Sequence, residues 1–262
     1  MKYKIGITSL GYQCIEHLDK VFAPWRKVKQ GALSNVIEEV HIGTAHGCFN
    51  ETAAIGFPLY STDGTIEKFQ KLHKEGVIDY LNVFDHNKFE YQFWNSNLDF
   101  LFSKNIDLLF MLNMDEVWEL EEIERSLNFI SENPDISWFN THFKNYVFDF
   151  NSYVKTFIVP RWWRNDKNEG ILGFHFDDEL TFKNGLKYKE CLGKTIPFEI
   201  SSPKHYSWVS NIDGYLKRKC DFQNKHYGAC SYKWDEETKK LYFSEHYYQM
   251  MGQMIPMVYK DS

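Results

Sequence analysis

The residues best suited to chemistry form an acidic motif that directly follows an apolar run. The run covers residues 107–113, and Asn113, Met114, Asp115 and Glu116 stand at its end. Side chains at positions i and i+2 of an extended backbone point the same way, so Asn113 and Asp115 can converge on one ion. Such oxygen ligands suit a hard divalent cation, Mn²⁺ or Mg²⁺, which can bridge to a diphosphate. The alternative is that Asp115 and Glu116 cap the start of a helix.

A second acidic cluster consists of Asp177, Asp178 and Glu179. Adjacent carboxylates repel one another unless they meet a cation or solvent, and the repulsion raises the pKa of at least one of them. A carboxyl group with a raised pKa suits a general base that accepts the proton of a hydroxyl nucleophile. The alternative is a solvent-exposed turn.

The segment 183–233 is basic and rich in aromatic residues. It carries 10 Lys and Arg against 4 Asp and Glu, whereas the whole chain has a net charge of −6. Such a segment is either a solvated basic face or a surface for a phosphate-bearing ligand. Within it, the run from Lys217 to Lys219 offers charge that could offset a diphosphate, and the alternative is again a solvated helix face.

The elements that position these residues alternate between strand and helix in the first half of the chain. Apolar periodicity predicts strands over 4–10, 36–44, 77–84 and 107–113, and helices over 12–30, 65–74, 89–103 and 120–130. This order predicts an α/β protein with a sheet that binds its ligands outside the carboxyl ends of its strands.

After Pro134 the pattern changes to strands, followed by one polar helix. The predicted strands cover 136–148, 153–163, 174–182 and 196–200, and the helix covers about 211–226. No linker rich in Pro, Gly or Ser separates the two parts. We therefore expect one domain made of two halves, residues 1–134 and residues 135–262.

The order of these features resembles a known group of enzymes. They are nucleotide-sugar-dependent glycosyltransferases with the GT-A fold, in particular a family 2-like subgroup of phages and bacteria with a DxD-like motif. The resemblance covers nearly the whole chain, although Asn113 stands where the motif has its first acid. It rests on Leu10–Cys14, Pro24–Trp25, Asn95, Asn113–Asp115, Asn145–Phe148, Pro160–Arg161, Phe174–Glu179, Lys204–Trp208, Lys217–Lys219 and Tyr227–Trp234.

The resemblance implies a mixed GT-A sheet flanked by helices, with a nucleotide-sugar-binding half and a β-rich acceptor-side half. It assigns the metal to Asp115 and His205, with a structural histidine as the alternative for His205. For the general base that the second acidic cluster offers, we favour Asp177 or Asp178, with Glu179 as a residue that could hold the acceptor. The residues expected to bind the nucleotide sugar are Thr8, Ser9, Leu10, Gly11, Asn95, Asn113, Met114 and Lys217.

The expected activity is a metal-dependent transfer of a hexosyl or pentosyl group from a nucleoside diphosphate sugar, with UDP as the expected nucleotide. The acceptor hydroxyl belongs either to a glycan or to a hydroxymethylated DNA base, to which basic and aromatic residues could bind. Two alternatives remain open, a non-catalytic carbohydrate-binding protein and a nucleotidyltransferase. The sequence leaves the sugar, the acceptor and the oligomeric state undetermined.

Composition limits the remaining possibilities. Of the 262 residues, 43% are apolar and 25% are charged, which excludes a disordered or fibrous chain. No run reaches the roughly 18 apolar residues of a membrane span. The five cysteines form no CxxC pair, which disfavours a disulfide framework. We therefore expect a cytoplasmic protein.

Overall fold

A computed structural model describes residues 2–53, 56–175, 179–209, 215–227, 230, 232–245 and 258–260. The helices are α1 (Ile15–Lys29), α2 (Asn50–Ala53), α3 (Thr65–Lys74), α4 (Glu90–Asn95), α5 (Leu98–Phe102), α6 (Leu120–Ser131) and α7 (Tyr215–Tyr227). The strands of the first half are β1 (Tyr3–Gly11), β2 (Ile37–His46), β3 (Tyr80–Val83), β4 (Leu108–Asn113) and β5 (Glu116–Val117). Those of the second half are β6 (Trp138–Val147), β7 (Ser152–Arg164), β8 (Ile171–His175), β9 (Glu179–Phe182), β10 (Gly193–Thr195), β11 (Lys204–Trp208), β12 (Tyr232–Asp235), β13 (Lys240–Phe243) and β14 (Tyr259–Lys260).

The chain divides into two compact units. The first comprises residues 1–142 and 158–203, and the second comprises residues 143–157 and 204–262. The division falls inside β6 and β7, whereas the sequence suggested a boundary at residue 134. Which half serves the donor and which the acceptor stays a prediction.

The first unit contains a mixed sheet, which confirms the expected fold class. Its strands follow the order β3-β2-β1-β4-β7-β6. The first four are parallel, with Ile7 of β1 opposite Ile42 of β2 and Phe110 of β4. Strand β7 then runs antiparallel to β4, with Leu108 opposite Arg164. The parallel part places the carboxyl ends of β1, β2 and β4 at one edge.

Helices cover both faces of this sheet. Successive residues of a strand face opposite sides, so the residues of β1 reach helices on both faces. A Cβ atom at Gly6 of β1 would meet Leu101 of α5, and one at Gly11 would meet Phe69 of α3. Apolar residues of β1 such as Ile5 and Ile7 are fully buried between the two layers. The run of buried residues is typical of a parallel strand covered on both faces.

The predicted helix over 89–103 is two helices, α4 and α5. The break lies at Asn97, whose buried amide donates to the Thr8 hydroxyl and to the Ser9 carbonyl of β1, both at 3.1 Å. Helix α1, by contrast, continues through Pro24 because its buried residues Phe22 and Trp25 hold it against the sheet.

Two predicted strands also differ. The run 174–182 forms the separate strands β8 and β9, which pair antiparallel as a hairpin. The prediction of a strand over 196–200 is wrong. Strand β10 ends at Thr195, and the amide of Ile200 then donates to the carbonyl of Pro197 at 2.9 Å, which closes a turn.

The second unit is built around the end of β6. Strand β11 pairs in parallel with it, so that His205 lies opposite Asn145. Strand β14 pairs antiparallel with the start of β7. Strands β12 and β13 pair antiparallel as a hairpin. Among the described residues of the chain, no helix is long and apolar enough to cross a membrane.

Candidate active site

The acidic motif occupies the turn after β4. Asn113 ends the strand and lies opposite Leu10, the penultimate residue of β1. Met114 is buried and Asp115 is partly exposed, whereas Glu116 is fully buried. The structure thus brings the motif to the carboxyl end of β1, where the sequence predicted a ligand site.

Asp115 and Glu116 do not cap the helix that follows them. Helix α6 begins only at Leu120, and its N-cap is Glu119. The carboxylate of Glu122 accepts the backbone N–H of Glu119 at 3.1 Å. The capping interpretation of the motif is therefore wrong.

Glu116 forms a buried ion pair with Arg161 of β7. The Arg161 Nε lies 3.0 Å from both carboxylate oxygens, and one terminal nitrogen also donates to Oε1. The two residues are 0% and 1% exposed. Burial raises the pKa of Glu116 to about 6, and the Arg161 guanidinium opposes that rise. Arg161 is therefore held by a carboxylate of the acidic motif.

Thr8 and Ser9 of β1 are fully buried and make internal hydrogen bonds. The Thr8 hydroxyl donates to the Trp94 carbonyl at 3.0 Å. The Ser9 hydroxyl lies 2.8 Å from the Thr44 hydroxyl of β2. These bonds fix the end of β1, and a direct role of Thr8, Ser9 and Leu10 toward a nucleotide stays a prediction.

Gly11 is a glycine because three side chains approach it closely. A Cβ atom there would lie 2.5 Å from Phe69 and 2.9 Å from both Cys14 and Met114. The missing side chain lets Met114 of the acidic motif pack against the end of β1. Close packing, rather than a turn of the backbone, therefore requires a glycine at position 11.

The N-terminus of α1 is closed by the segment 61–65. The backbone N–H of Ile15 donates to the Asp63 carboxylate at 3.0 Å, and that of Cys14 donates to the Thr65 hydroxyl at 2.9 Å. The N–H of Gln13, which adopts a φ of 51°, donates to the Ser61 hydroxyl at 2.8 Å. A dinucleotide-binding Rossmann fold places a pyrophosphate at this helix end. Here a carboxylate of the chain itself takes that place.

His46 at the carboxyl end of β2 is a buried residue that the sequence analysis missed. Its Nε2 lies 2.9 Å from the Ser61 hydroxyl. Burial lowers the pKa of His46 to about 4, although Asp63 acts in the opposite direction. The ring is therefore neutral near pH 7. No local sequence pattern distinguishes this histidine from the others.

Asn95 holds strand β8. Its amide nitrogen donates to the Phe174 carbonyl at 2.8 Å, and its amide oxygen accepts the Phe174 N–H at 2.7 Å. Gly173 allows the approach, since a Cβ atom there would lie 3.1 Å from the Asn95 oxygen. The predicted role of Asn95 toward the nucleotide sugar remains untested, and these two bonds give it a structural role.

Of the second acidic cluster, Asp177 and Asp178 lie outside the described residues. Glu179 begins β9 and forms ion pairs with Lys187 at 3.0 Å and Lys189 at 3.1 Å. These lysines lower the pKa of Glu179. At Glu179, therefore, the expected rise in pKa is not found. Its role toward an acceptor stays a prediction.

His205 in the second unit is buried and its ring orientation is fixed. Its Nδ1 lies 2.8 Å from the amide oxygen of Asn145. Because an amide oxygen only accepts, Nδ1 donates this hydrogen bond, and Nε2 carries the lone pair whenever the ring is neutral. Metal-binding histidines commonly use this arrangement, in which one ring nitrogen donates to an oxygen and the other binds the ion.

Lys217 lies on the exposed side of α7. It forms ion pairs with Asp221 and Glu236, both at 3.1 Å. Its charge is thus compensated within the second unit. The prediction that Lys217 binds the nucleotide sugar is not tested by these contacts.

Comparisons with known proteins find similarity of structure only. No protein-family model and no curated protein sequence matches this chain. S. aureus TarS 1-349 in complex with UDP shares 12% identity, with 87% of this chain and 72% of that chain covered and a TM-score of 0.47. Mannosyltransferase PcManGT from Pyrobaculum calidifontis, in complex with GDP-Man and Mn²⁺, shares 9% identity, with 87% and 62% covered and a TM-score of 0.45.

Each of these two alignments covers most of the present chain. The chain spans less than half the length of the first TarS chains that it matches, 36% of one and 44% of the other.

Proposed function

We propose that this protein transfers a sugar from a nucleoside diphosphate sugar to an acceptor hydroxyl with the help of a divalent metal ion. The observation that carries the proposal is the position of Asp115. It lies partly exposed after β4, in the turn that starts opposite the end of β1. This edge of a parallel sheet is where α/β proteins bind their ligands.

Asp115 of the first unit is the proposed metal ligand, and the amide oxygen of Asn113 is a second candidate. The assignment of His205 in the second unit to a metal stays a prediction. A carboxylate and an amide oxygen are hard ligands that suit Mn²⁺ or Mg²⁺. When bound, the ion supplies positive charge that stabilises the diphosphate as it leaves.

The carboxylate at the N-terminus of α1 is a reason to expect that a cation binds the phosphates. Because the Asp63 carboxylate already accepts the N–H of Ile15, a diphosphate brought to this helix end would meet a like charge. The phosphates must therefore be held elsewhere, and we place them at Asp115. The base and ribose, expected to be those of UDP, are assigned to the end of β1 at Thr8, Ser9, Leu10 and Gly11.

Asp177 or Asp178 is the proposed base that accepts the proton of the acceptor hydroxyl. Glu179 is a weaker candidate because its two lysine partners lower its pKa and hence its basicity. Asn95 contributes by holding the main chain of Phe174, three residues before Asp177. A hydroxyl of a glycan is the acceptor that we favour.

A modified DNA base is the less favoured acceptor. Three lysines of the basic segment, Lys187, Lys189 and Lys217, are paired with carboxylates of the chain. Paired lysines contribute less to the field that attracts a phosphate backbone. If DNA were the acceptor, binding to hydroxymethylated duplex would weaken steeply with salt.

The test of this function is a panel of nucleotide sugars with Mn²⁺ or with a chelator. A ligand that binds only the folded state raises the melting temperature. We expect one UDP-sugar to stabilise the protein in Mn²⁺ and to be slowly hydrolysed, with release of UDP. Release of pyrophosphate from a nucleoside triphosphate would instead indicate a nucleotidyltransferase. Binding of free sugars with no turnover of any donor would indicate a carbohydrate-binding protein.

A further inference from the structure

Glu116 and Arg161 form a buried ion pair directly beside the proposed metal ligand Asp115. Removing two charges from water costs free energy that their attraction only partly returns, and an apolar pair of similar volume is often as stable. A buried pair is therefore a poor device for stability alone. It does fix geometry, because the planar guanidinium binds a carboxylate in one orientation.

The guanidinium is itself held in place by the sheet. A terminal nitrogen of Arg161 donates to the carbonyl of Pro160 at 2.8 Å and contacts the sulfur of Met111 at 3.8 Å. Met111 belongs to β4, and Phe110 of β4 lies opposite Trp162 of β7. Arg161 thus ties the turn that carries Asp115 to a neighbouring strand of the sheet.

Aromatic rings enclose the same part of the first unit. The ring centroid of Phe110 lies 4.2 Å from that of Trp162 and 5.0 Å from that of Trp118. Phe110 lies three residues before Asn113 and Trp118 two residues after Glu116, so buried aromatic residues flank the acidic turn along the chain.

We propose that Arg161 and Glu116 are positioning residues that orient Asp115 toward the metal, and that Glu116 itself holds no metal. This inference rests on the proposed function. It assigns the neighbouring acids of the motif to different tasks. Asp115, partly exposed, faces the ligand, whereas both oxygens of Glu116 accept hydrogen bonds from Arg161.

The chain provides a matched control in Arg164, a second buried arginine on β7. Arg164 is 4% exposed, and its guanidinium donates to the main-chain carbonyls of Ile136 at 3.0 Å and Ile130 at 2.6 Å. It binds no carboxylate of the acidic motif. Replacement of Arg164 therefore measures how far stability and Mn²⁺ binding change when a buried arginine of β7 is lost without breaking the ion pair with Glu116.

The experiment compares wild type, Arg161→Met and Arg164→Met. Binding of Mn²⁺ in the presence of UDP is measured from the electron paramagnetic resonance of free Mn²⁺, and folding from urea unfolding. Both variants are expected to unfold at lower urea. Arg161→Met should weaken Mn²⁺ binding by about 10-fold or more, the usual effect of losing a residue that orients a metal ligand. Arg164→Met should stay within about 3-fold of wild type, because the site is independent of it.

Equal Mn²⁺ affinities in the two variants would show that the pair is merely structural. Tighter binding in Arg161→Met would show that Glu116, once released, is a ligand. Either result overturns the inference about Arg161 and Glu116 but leaves the proposed function standing. If wild type binds no Mn²⁺ with UDP, the proposed function fails and the inference fails with it. Arg161→Lys, which keeps the charge but lacks the planar fork, should bind Mn²⁺ with intermediate affinity. It provides the comparison if Arg161→Met does not fold.

Discussion

Acidification should destabilise the folded protein through His46. The residue is fully buried, and burial lowers its pKa to about 4, whereas a histidine in the unfolded chain titrates near 6.5. The unfolded state therefore takes up a proton as the pH falls through 6.5, while the folded state does not. The stabilising contribution is complete above the unfolded pKa and is lost progressively down to pH 4. Between pH 7 and pH 5 the loss is about 2 kcal/mol.

The assay is urea unfolding of wild type and His46→Gln at pH 7, 6 and 5. Glutamine keeps a polar group within reach of the Ser61 hydroxyl but does not titrate. Other groups also titrate in this range, so the informative quantity is the difference between the two proteins. The free energy of unfolding of wild type should fall by about 2 kcal/mol more than that of His46→Gln. Parallel curves for the two proteins would show that His46 does not contribute to the pH dependence of stability.

Two further predictions concern residues that shape the site. Gly11→Ala should lower the free energy of unfolding by about 1–3 kcal/mol, because its Cβ would overlap Phe69 and Met114. An unchanged urea midpoint would contradict that packing. Asn95→Ala should cost about 2 kcal/mol, since both hydrogen bonds to the Phe174 main chain are lost. A loss below about 0.5 kcal/mol for Asn95→Ala would argue against a stabilising role of the two bonds.

Much of the sheet could be predicted because its strands and helices have clear periodicity. The predicted helix over 65–74 matches α3 at both ends, and the strand over 107–113 matches β4 to within one residue. Burial on both faces makes the parallel strands continuous apolar runs, which are easy to recognise. The break between α4 and α5 escaped prediction because it depends on hydrogen bonds of Asn97 to β1, far away in the sequence.

The candidate site was predicted only where a local motif carries it. The position of Asp115 followed from the strand before it. The partner of Glu116 did not, because Arg161 lies 45 residues further along the chain and reaches it through strand pairing. The carboxylate of Asp63 at the start of α1 is likewise a contact across 48 residues. Such pairings depend on the tertiary fold and leave no periodic signal.

The proposed function depends on a metal ion at Asp115 that binds the diphosphate. The most direct measurement is calorimetric titration of UDP into wild type and Asp115→Asn, each with Mn²⁺ and with a chelator. Wild type should bind UDP much more tightly in Mn²⁺. Loss of a residue that merely orients a metal ligand weakens metal binding by about 10- to 100-fold. Asp115→Asn should therefore weaken UDP binding in Mn²⁺ by at least that factor, and its urea midpoint should stay close to that of wild type. If the folded variant binds UDP in Mn²⁺ as tightly as wild type does, Asp115 is not the metal ligand and the account is wrong.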